Sequence, residues 1–259
     1  MITKIYRHIV LLLKQSEKLS AASCRLVQWT HKHDDPIHPK HLIQIRSPWY
    51  LDYVDKESIV LDIGCNNGQH TIKIAAYCKQ VFAFDYDPRM LKLALNHVRR
   101  SGYSNVIIQQ ADAESRLPYH SSKFHRVVFL DVLEHLNNRD KIMQEIYRVL
   151  KPAGLLLLSI PNRNTHWKLV QKNLGINYYS DPDHKVEYSD VEIKNFLKEN
   201  GFKVQNIFPV TLDTPLVGLI DLIGGISLTL YKYLSQWRRT MAQKYPKETI
   251  GYELVCVKK

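Results

Sequence analysis

Apolar residues occur along the chain in short runs, and the segments between many of these runs have a helical period. Runs of strand length lie at Ile59–Ile63, Val81–Phe84, Val106–Ile108, Val127–Leu130 and Leu155–Ile160. Segments such as Met90–Val98 and Lys141–Leu150 separate them and repeat their apolar residues about every 3.6 positions. Near-continuous apolar strands that alternate with helices favour a parallel sheet covered on both faces. The pattern therefore predicts a doubly wound α/β fold.

The end of the chain departs from this rhythm. Asp190–Asn200 has a helical pattern that Gly201 closes. Phe202–Phe208 and Tyr252–Val257 then alternate like strands, which is typical of an antiparallel pair. Together with the earlier runs they predict a mostly parallel seven-stranded sheet that ends in an antiparallel C-terminal strand pair.

Residues 1–50 differ from the rest of the chain by their amphipathic pattern. Between residues 2 and 30, apolar side chains recur at roughly helical spacing with Lys and Arg between them, which indicates one helix or two. We predict a helical extension or lid over residues 1–50, followed by one domain over residues 51–259. A helical apolar insertion is expected within that domain at about residues 210–247.

The most apolar part of this insertion, residues 215–239, ends in tyrosine, tryptophan and basic side chains. It is shorter than the roughly 20 apolar residues that a helix needs to span a bilayer, and Asp221 interrupts it. We expect a helical hairpin that covers a substrate or lies at a membrane surface. Its basic flank consists of Lys232, Arg238 and Arg239.

Composition limits the class of protein and its partners. The chain is 45% hydrophobic and 24% charged, as folded globular proteins are. Lys and Arg number 36 against 25 Asp and Glu, and the net charge of +11 favours an anionic partner unless it serves solubility alone. The four cysteines form no Cys-x-x-Cys pair, and the N-terminal apolar run is too short and too charged for a signal peptide. We therefore expect a cytoplasmic protein, with contact at the membrane periphery as the alternative.

Acidic residues and glycines follow the first three predicted strands. They are Asp62, Gly64 and Gly68 after the first, Asp85 and Tyr86 after the second, and Asp112 and Ala113 after the third. In an open parallel sheet, ligands bind beyond the carboxyl ends of the strands. An acid after the second strand can accept both hydroxyl hydrogens of a ribose, and Asp112 can accept a hydrogen bond from an adenine amino group. A lone glycine turn is a weak signal, whereas this ordered set predicts a ligand that contains a nucleoside.

Four segments together resemble the class I S-adenosylmethionine-dependent methyltransferases. They are VLDIGCNNGQHTIKIA, VFAFDYDPRMLKLA, QQADAESRLPYHSSKFHRVVFLDVLEHL and YRVLKPAGLLLLSIPN, within residues 58–162. Their co-occurrence in the family's order is highly specific. The resemblance implies the Rossmann-like methyltransferase fold and S-adenosyl-L-methionine as the cofactor.

The resemblance also assigns roles to individual residues. Asp62, Gly64 and Gly68 line the methionine end of the cofactor, in a loop completed by Cys65, Asn66 and Asn67. Asp85 binds the ribose hydroxyls, Tyr86 and Met90 flank the adenosine, and Asp112 with Ala113 holds the adenine. The segment after the fourth strand contributes Leu130, Asp131 and His135 near the sulfonium and the methyl acceptor.

Asn66 stands where the family usually has the middle glycine of its loop. Glycine is favoured there because it accepts positive φ angles and lets the backbone approach the ligand. Asparagine is among the other residues that most readily adopt the left-handed region. We therefore expect the loop to keep its shape with slightly less space.

Two histidines are candidate general bases. His135 follows Glu134 in DVLEHL, and His184 lies in DPDHKVEYS, which resembles a segment that borders the acceptor pocket of related small-molecule enzymes. A base is needed only where the acceptor must lose a proton. Either histidine has an ordinary alternative role as a helix cap or as the partner of a neighbouring carboxylate.

The acceptor is left open between classes. A small-molecule, lipid or lipid-linked acceptor is favoured by the apolar insertion, and an RNA methyltransferase is the alternative that the net charge suggests. The chain has no recognisable RNA-binding module, which disfavours nucleic acid. A nicotinamide-dependent oxidoreductase is less favoured because the glycine spacing does not match G-x-G-x-x-G. No metal is expected, since the histidines between His31 and His41 have no regular ligand spacing.

Overall fold

The helices and strands follow the predicted alternation. The computed structural model describes residues 2–43 and 48–259, so that residue 1 and residues 44–47 of the predicted extension lie outside the described residues. In chain order the elements are α1 (Ile2–Ser16), α2 (Leu19–Trp29), β1 (Ile59–Ile63), α3 (Gln69–Ala75), β2 (Gln80–Asp85), α4 (Pro88–Ser101), β3 (Val106–Gln110), β4 (Phe124–Leu130), α5 (Arg139–Val149), β5 (Leu150–Pro161), α6 (His166–Asn173), α7 (Asp190–Glu199), β6 (Phe202–Pro209), α8 (Val217–Ile226), α9 (Leu228–Lys244) and β7 (Gly251–Lys258). Short 3-10 helices lie at Pro39–His41, Trp49–Tyr53, Leu133–His135 and Pro246–Glu248.

The strands form one seven-stranded sheet in the order β3-β2-β1-β4-β5-β7-β6. The pairs β1–β2, β1–β4, β2–β3 and β4–β5 are parallel, and the C-terminal strands are antiparallel, as predicted. The order reverses between β1 and β4, and Ile63 of β1 pairs with Phe84 of β2 on one side and with Phe129 of β4 on the other. Ligands of open α/β sheets bind at such a reversal, so the carboxyl ends of β1 and β4 mark the site.

Both faces of the sheet are buried. Leu61 and Ile63 belong to one apolar cluster, and Val60 belongs to the cluster on the opposite face. Successive strand residues point to opposite faces, which explains why β1 reads as a continuous apolar run interrupted only by Asp62. The polar start Lys151-Pro152 hides the first part of β5 from a search for apolar runs, and this strand begins at Leu150, earlier than predicted.

The described residues divide into two compact units. One consists of residues 48–161, 183–208 and 252–259 and contains the sheet. The other is drawn from residues 1–47, 162–182 and 209–251 and contains α1, α2, α6, α8 and α9. The inclusion of residues 162–182 in the helical unit was not among the predicted boundaries.

Glycines let α8 approach the N-terminal helices closely within the helical unit. A Cβ atom on Gly218 would overlap the Ser16 carbonyl oxygen, and one on Gly225 would lie 2.6 Å from Leu26 Cβ. Asp221 is buried on the same helix and accepts hydrogen bonds from the Ser20 and Tyr231 hydroxyls. The interrupted apolar stretch is therefore a pair of packed helices. Among the described residues, no helix combines the length and the apolar character that crossing a bilayer requires.

Candidate active site

The loop between β1 and α3 has the backbone of a ligand-binding turn. Gly64 and Gly68 have φ angles of 72° and 80°, and Asn66 has a φ angle of 48°. The left-handed conformation expected of Asn66 is thus confirmed. The amide groups of Gly64 and Cys65 both donate to the Phe84 carbonyl oxygen over 2.9 Å, which fastens the start of the loop to the end of β2.

The Asp85 carboxylate joins the loops that follow β1 and β2. Its Oδ2 accepts a hydrogen bond from the Asn66 amide at 2.8 Å, and its Oδ1 accepts one from the Asp87 amide at 2.9 Å. A carboxylate oxygen has capacity for more than one hydrogen bond, so these contacts leave room for ribose hydroxyls. Asp85 thereby fixes the two loops relative to each other.

Asp62 lies beneath the glycine loop and is only 3% exposed. The Thr71 hydroxyl donates to its Oδ2 over 2.6 Å. Burial, reinforced by the nearby Asp85 carboxylate, raises the pKa of Asp62 to about 6, although the Thr71 hydrogen bond opposes the shift. A positively charged ligand group near this carboxylate would relieve the cost of burying its charge.

The residues predicted to hold the adenosine lie after β2 and β3. The Tyr86 side chain is 74% exposed, and Met90 on α4 is half-buried. Asp112 is exposed and accepts a hydrogen bond from the Glu114 amide at 2.8 Å, while Ala113 is buried. The Gln110 side chain donates to the Tyr86 carbonyl oxygen over 3.0 Å, which links the ends of β2 and β3.

The segment after β4 reaches the glycine loop. A Cβ atom on Gly64 would lie 2.5 Å from Val132 Cγ2, so the two turns are in direct contact. Leu130 is half-buried, and Asp131 has a φ angle of 54°. The Asp131 amide donates to the Ser159 carbonyl oxygen at 3.0 Å, and its carboxylate accepts a hydrogen bond from the Ser159 hydroxyl. The predicted methionine-side and acceptor-side residues are therefore neighbours.

His135 and His184 form one cluster with two buried glutamates. Their rings pack edge to face with centroids 4.6 Å apart. His184 Nδ1 lies 2.8 Å from Glu187 Oε1, and His184 Nε2 lies 3.9 Å from Glu134 Oε1. Glu134 and Glu187 are 1% and 0% exposed and were not among the predicted site residues. The sequence signal that could have indicated them is the glutamate near each histidine, directly before His135 in LEHL and three residues after His184 in HKVEY.

The histidines near the N-terminus lie elsewhere, in the helical unit. His38 Nε2 is 3.2 Å from Asp221 Oδ2, and the His33 ring bonds to the Asp35 backbone. His31 has a φ angle of 53°, as expected of a turn. His33 is thus bonded within its own turn, and His38 pairs with Asp221 of α8.

Sequence comparison places the site in a known family. A family model described as "Methyltransferase domain" matches residues 61–158, which begin within β1 and end within β5. A "Ubiquinone biosynthesis O-methyltransferase" of Xanthomonas axonopodis pv. citri is 31% identical over 185 residues, covering 67% of this chain and 75% of the relative. The chain belongs to the class I S-adenosylmethionine-dependent methyltransferases.

Other members of the methyltransferase family share the same region. A Mycobacterium tuberculosis relative named "Probable S-adenosylmethionine-dependent methyltransferase" is 35% identical over 143 residues, which are 55% of this chain. The match spans 48% of that relative, so this chain covers about half the length of such relatives. A solved S-adenosylmethionine-dependent methyltransferase of Methanosarcina mazei superposes with a TM-score of 0.57 at 21% identity, covering 82% of this chain and 97% of the other. The structural similarity to the Methanosarcina mazei protein shows the fold of this chain.

Membership of the methyltransferase family confirms the predicted family, the predicted fold class and S-adenosyl-L-methionine as the family's cofactor. It also favours a methyltransferase over the nicotinamide-dependent alternative. The roles of the individual loop residues stay predictions, which the variants described below test.

Proposed function

We propose that this protein transfers the methyl group of S-adenosyl-L-methionine to a hydroxyl oxygen of a small-molecule, lipid or lipid-linked acceptor. The observation that carries the proposal is the cluster of two half-buried histidines and two buried glutamates, whose segment after β4 contacts the glycine loop through Val132. A hydroxyl acceptor has to lose a proton, and a clustered imidazole suits that task. The name of the Xanthomonas relative supports an oxygen acceptor.

The proposed reaction needs little beyond alignment and proton removal. The acceptor oxygen attacks the methyl carbon as the carbon–sulfur bond breaks, and S-adenosylhomocysteine leaves as the neutral thioether. The hydroxyl proton is lost at the histidine–glutamate cluster that contains His135 and His184. Alignment of the oxygen with the methyl group supplies much of the rate because the sulfonium is already an activated donor.

Labelled cofactor tests this function directly. The protein is incubated with S-adenosyl-L-methionine carrying a radioactive methyl group and, separately, with lipid, small-molecule and RNA extracts of its source cell. We expect label in the lipid or small-molecule fraction, removable by conditions that cleave methyl ethers. Label confined to RNA would instead establish the nucleic-acid alternative, and heat-inactivated protein provides the background.

A membrane surface is the second part of the proposal, supported by an apolar stripe on α9. Leu230, Tyr233 and Trp237 recur at helical spacing and are 47%, 70% and 46% exposed. Lys232 is exposed beside them, and such a face suits an interfacial helix. Arg238, predicted to belong to the basic flank, is instead buried and donates twice to the Leu212 carbonyl oxygen.

Liposome flotation tests the α9 stripe. We expect the protein to float with anionic phosphatidylglycerol vesicles, and replacement of Leu230, Tyr233 and Trp237 by serine to reduce the bound fraction at least about fivefold, because each removed apolar side chain weakens partitioning. The matched control replaces three exposed apolar residues of the sheet-containing unit, Tyr77, Leu95 and Ile107, by serine. Equal flotation of both triple variants would remove α9 from the membrane contact.

A further inference from the structure

Glu134, His135 and His184 bring three metal-ligand atoms together. One imidazole nitrogen from each histidine and one Glu134 carboxylate oxygen all lie within 4.8 Å of one another. Among the side chains of histidine, cysteine, aspartate and glutamate in residues 2–43 and 48–259, these three form the one group whose ligand atoms lie this close together. Two imidazoles with one carboxylate form a donor set that zinc and other divalent transition metals accept.

Backbone contacts hold the two halves of this set together. Glu134 and His135 are consecutive residues of the 3-10 helix Leu133–His135. The amides of Lys185 and Val186 donate to the Glu134 carbonyl oxygen at 2.7 and 3.3 Å, which anchors the loop that carries His184. The approach of His184 is therefore fixed by main-chain hydrogen bonds and does not depend on the side chains alone.

Glu187 orients the His184 ring in the manner of an outer-shell carboxylate. Its Oε1 lies 2.8 Å from His184 Nδ1, so an ionised Glu187 accepts the Nδ1 proton. The Nε2 lone pair is then directed away from Glu187, and Nε2 lies 3.9 Å from Glu134 Oε1. Metal-ligating histidines characteristically donate their second nitrogen to a carboxylate in this way.

The separation of these two atoms fits a shared ion. With metal–ligand bonds of about 2.1 Å, two ligands of a tetrahedral ion lie about 3.4 Å apart, and no pair exceeds about 4.2 Å. The 3.9 Å between His184 Nε2 and Glu134 Oε1 falls between these values. We propose that Glu134, His135 and His184 bind a divalent transition-metal ion such as Zn²⁺ and leave at least one coordination position open.

The open position gives the ion a place in the methyl transfer, an assignment that rests on the proposed function. An acceptor hydroxyl bound there has a lowered pKa, and its proton passes to solvent. The resulting oxygen attacks the methyl carbon, the carbon–sulfur bond breaks, and S-adenosylhomocysteine leaves. His135 and His184 then assist the loss of the proton as ligands of the ion, and the site favours acceptors that carry an ionisable hydroxyl.

Metal binding by the full chain, without cofactor or acceptor, tests the site. We expect one equivalent of Co²⁺ to produce visible d–d absorption that Zn²⁺ abolishes, and Glu134→Gln and His184→Ala to lower Zn²⁺ affinity at least about 100-fold. Glu187→Gln, which removes only the outer-shell carboxylate, is expected to lower it by about 10- to 100-fold. His120→Ala, an exposed histidine bonded to the Ser121 carbonyl oxygen, is the matched control.

Two results overturn the metal site. One is the absence of saturable Co²⁺ and Zn²⁺ binding by the wild-type chain, which needs no variant to fold. The other is a folded His184→Ala variant, checked by circular dichroism, whose Zn²⁺ affinity equals that of His120→Ala. Zn²⁺ binding without methyl transfer would uphold the site and overturn the function, whereas transfer by a chain that binds no metal would do the reverse.

Discussion

Gly64→Ala is expected to lower the free energy of unfolding by about 2–5 kcal/mol and to abolish measurable cofactor binding. The φ angle of 72° costs an alanine about 1–2 kcal/mol. The added Cβ would also lie 2.5 Å from Val132 Cγ2, and overpacking of this kind costs about 1–3 kcal/mol. Relief of this clash moves the turns after β1 and β4, between which the methionine end of the cofactor is predicted to bind. Chemical denaturation and calorimetry with S-adenosyl-L-methionine measure the two effects.

Gly102 offers a control that separates strain from packing. It has a φ angle of 74°, and a Cβ there meets no atom within 4 Å. Gly102→Ala should therefore show the backbone strain alone and leave cofactor affinity unchanged. Val132→Ala introduced into Gly64→Ala should recover the packing part of the loss. A Gly64→Ala variant no less stable than Gly102→Ala would show that Val132 yields without cost.

The sheet was predictable from local pattern, and so were the positions in the fold of the residues predicted to bind the cofactor. A strand buried on both faces appears in the sequence as an apolar run, and the residue that follows it lies at the carboxyl edge of the sheet. Asp112 lies two residues beyond β3, Asp85 is the last residue of β2, and Asp62 is the last residue but one of β1, so all three lie near this edge. The left-handed backbone of Asn66 was likewise predictable, because this asparagine stands where the resembled family usually has a glycine.

The glutamates beside the two histidines were not predictable by such means. Glu134 and Glu187 are far apart in the chain, and their meeting depends on amide groups of the loop after α6 that donate to the Glu134 backbone. A charged residue in a loop is usually exposed, so a sequence pattern gives no reason to expect both carboxylates to be buried. The burial of Arg238 is the same kind of case, since its partner is a carbonyl oxygen at Leu212.

Cofactor affinity is expected to fall about tenfold between pH 7 and pH 5 because of Asp62. The pKa of this buried carboxyl is raised to about 6, so it is ionised at pH 7 and largely protonated at pH 5. S-adenosyl-L-methionine carries a sulfonium and an ammonium group, and its net positive charge favours the ionised form of Asp62. The Tyr50 hydroxyl and the Cys65 thiol, which interact with Asp62, have pKa values raised by burial and stay neutral in this range.

The Asp62 carboxyl also makes the free energy of unfolding depend on pH. Between about pH 4 and pH 6 the unfolded chain ionises Asp62 while the folded chain retains the proton, so the free energy of unfolding falls as the pH rises. Because the pKa of Asp62 is raised from its ordinary value to about 6, the loss is of the order of 3 kcal/mol, and it persists above pH 6 in the absence of cofactor. A bound cationic cofactor should recover part of it.

Asp62→Asn tests both consequences by removing the titration while keeping an acceptor for the Thr71 hydroxyl. Calorimetry should show weaker cofactor binding than wild type at pH 7 and little change between pH 5 and pH 7. Urea denaturation should show that the wild-type loss of stability between pH 4 and pH 6 exceeds that of the variant.

Asp112→Asn removes an exposed carboxylate of the same site and should weaken binding while leaving the pH dependence in place. Identical pH dependence in wild type and Asp62→Asn would mean that another group controls the affinity, and the buried charge of Asp62 would then have no part in selecting a cationic ligand.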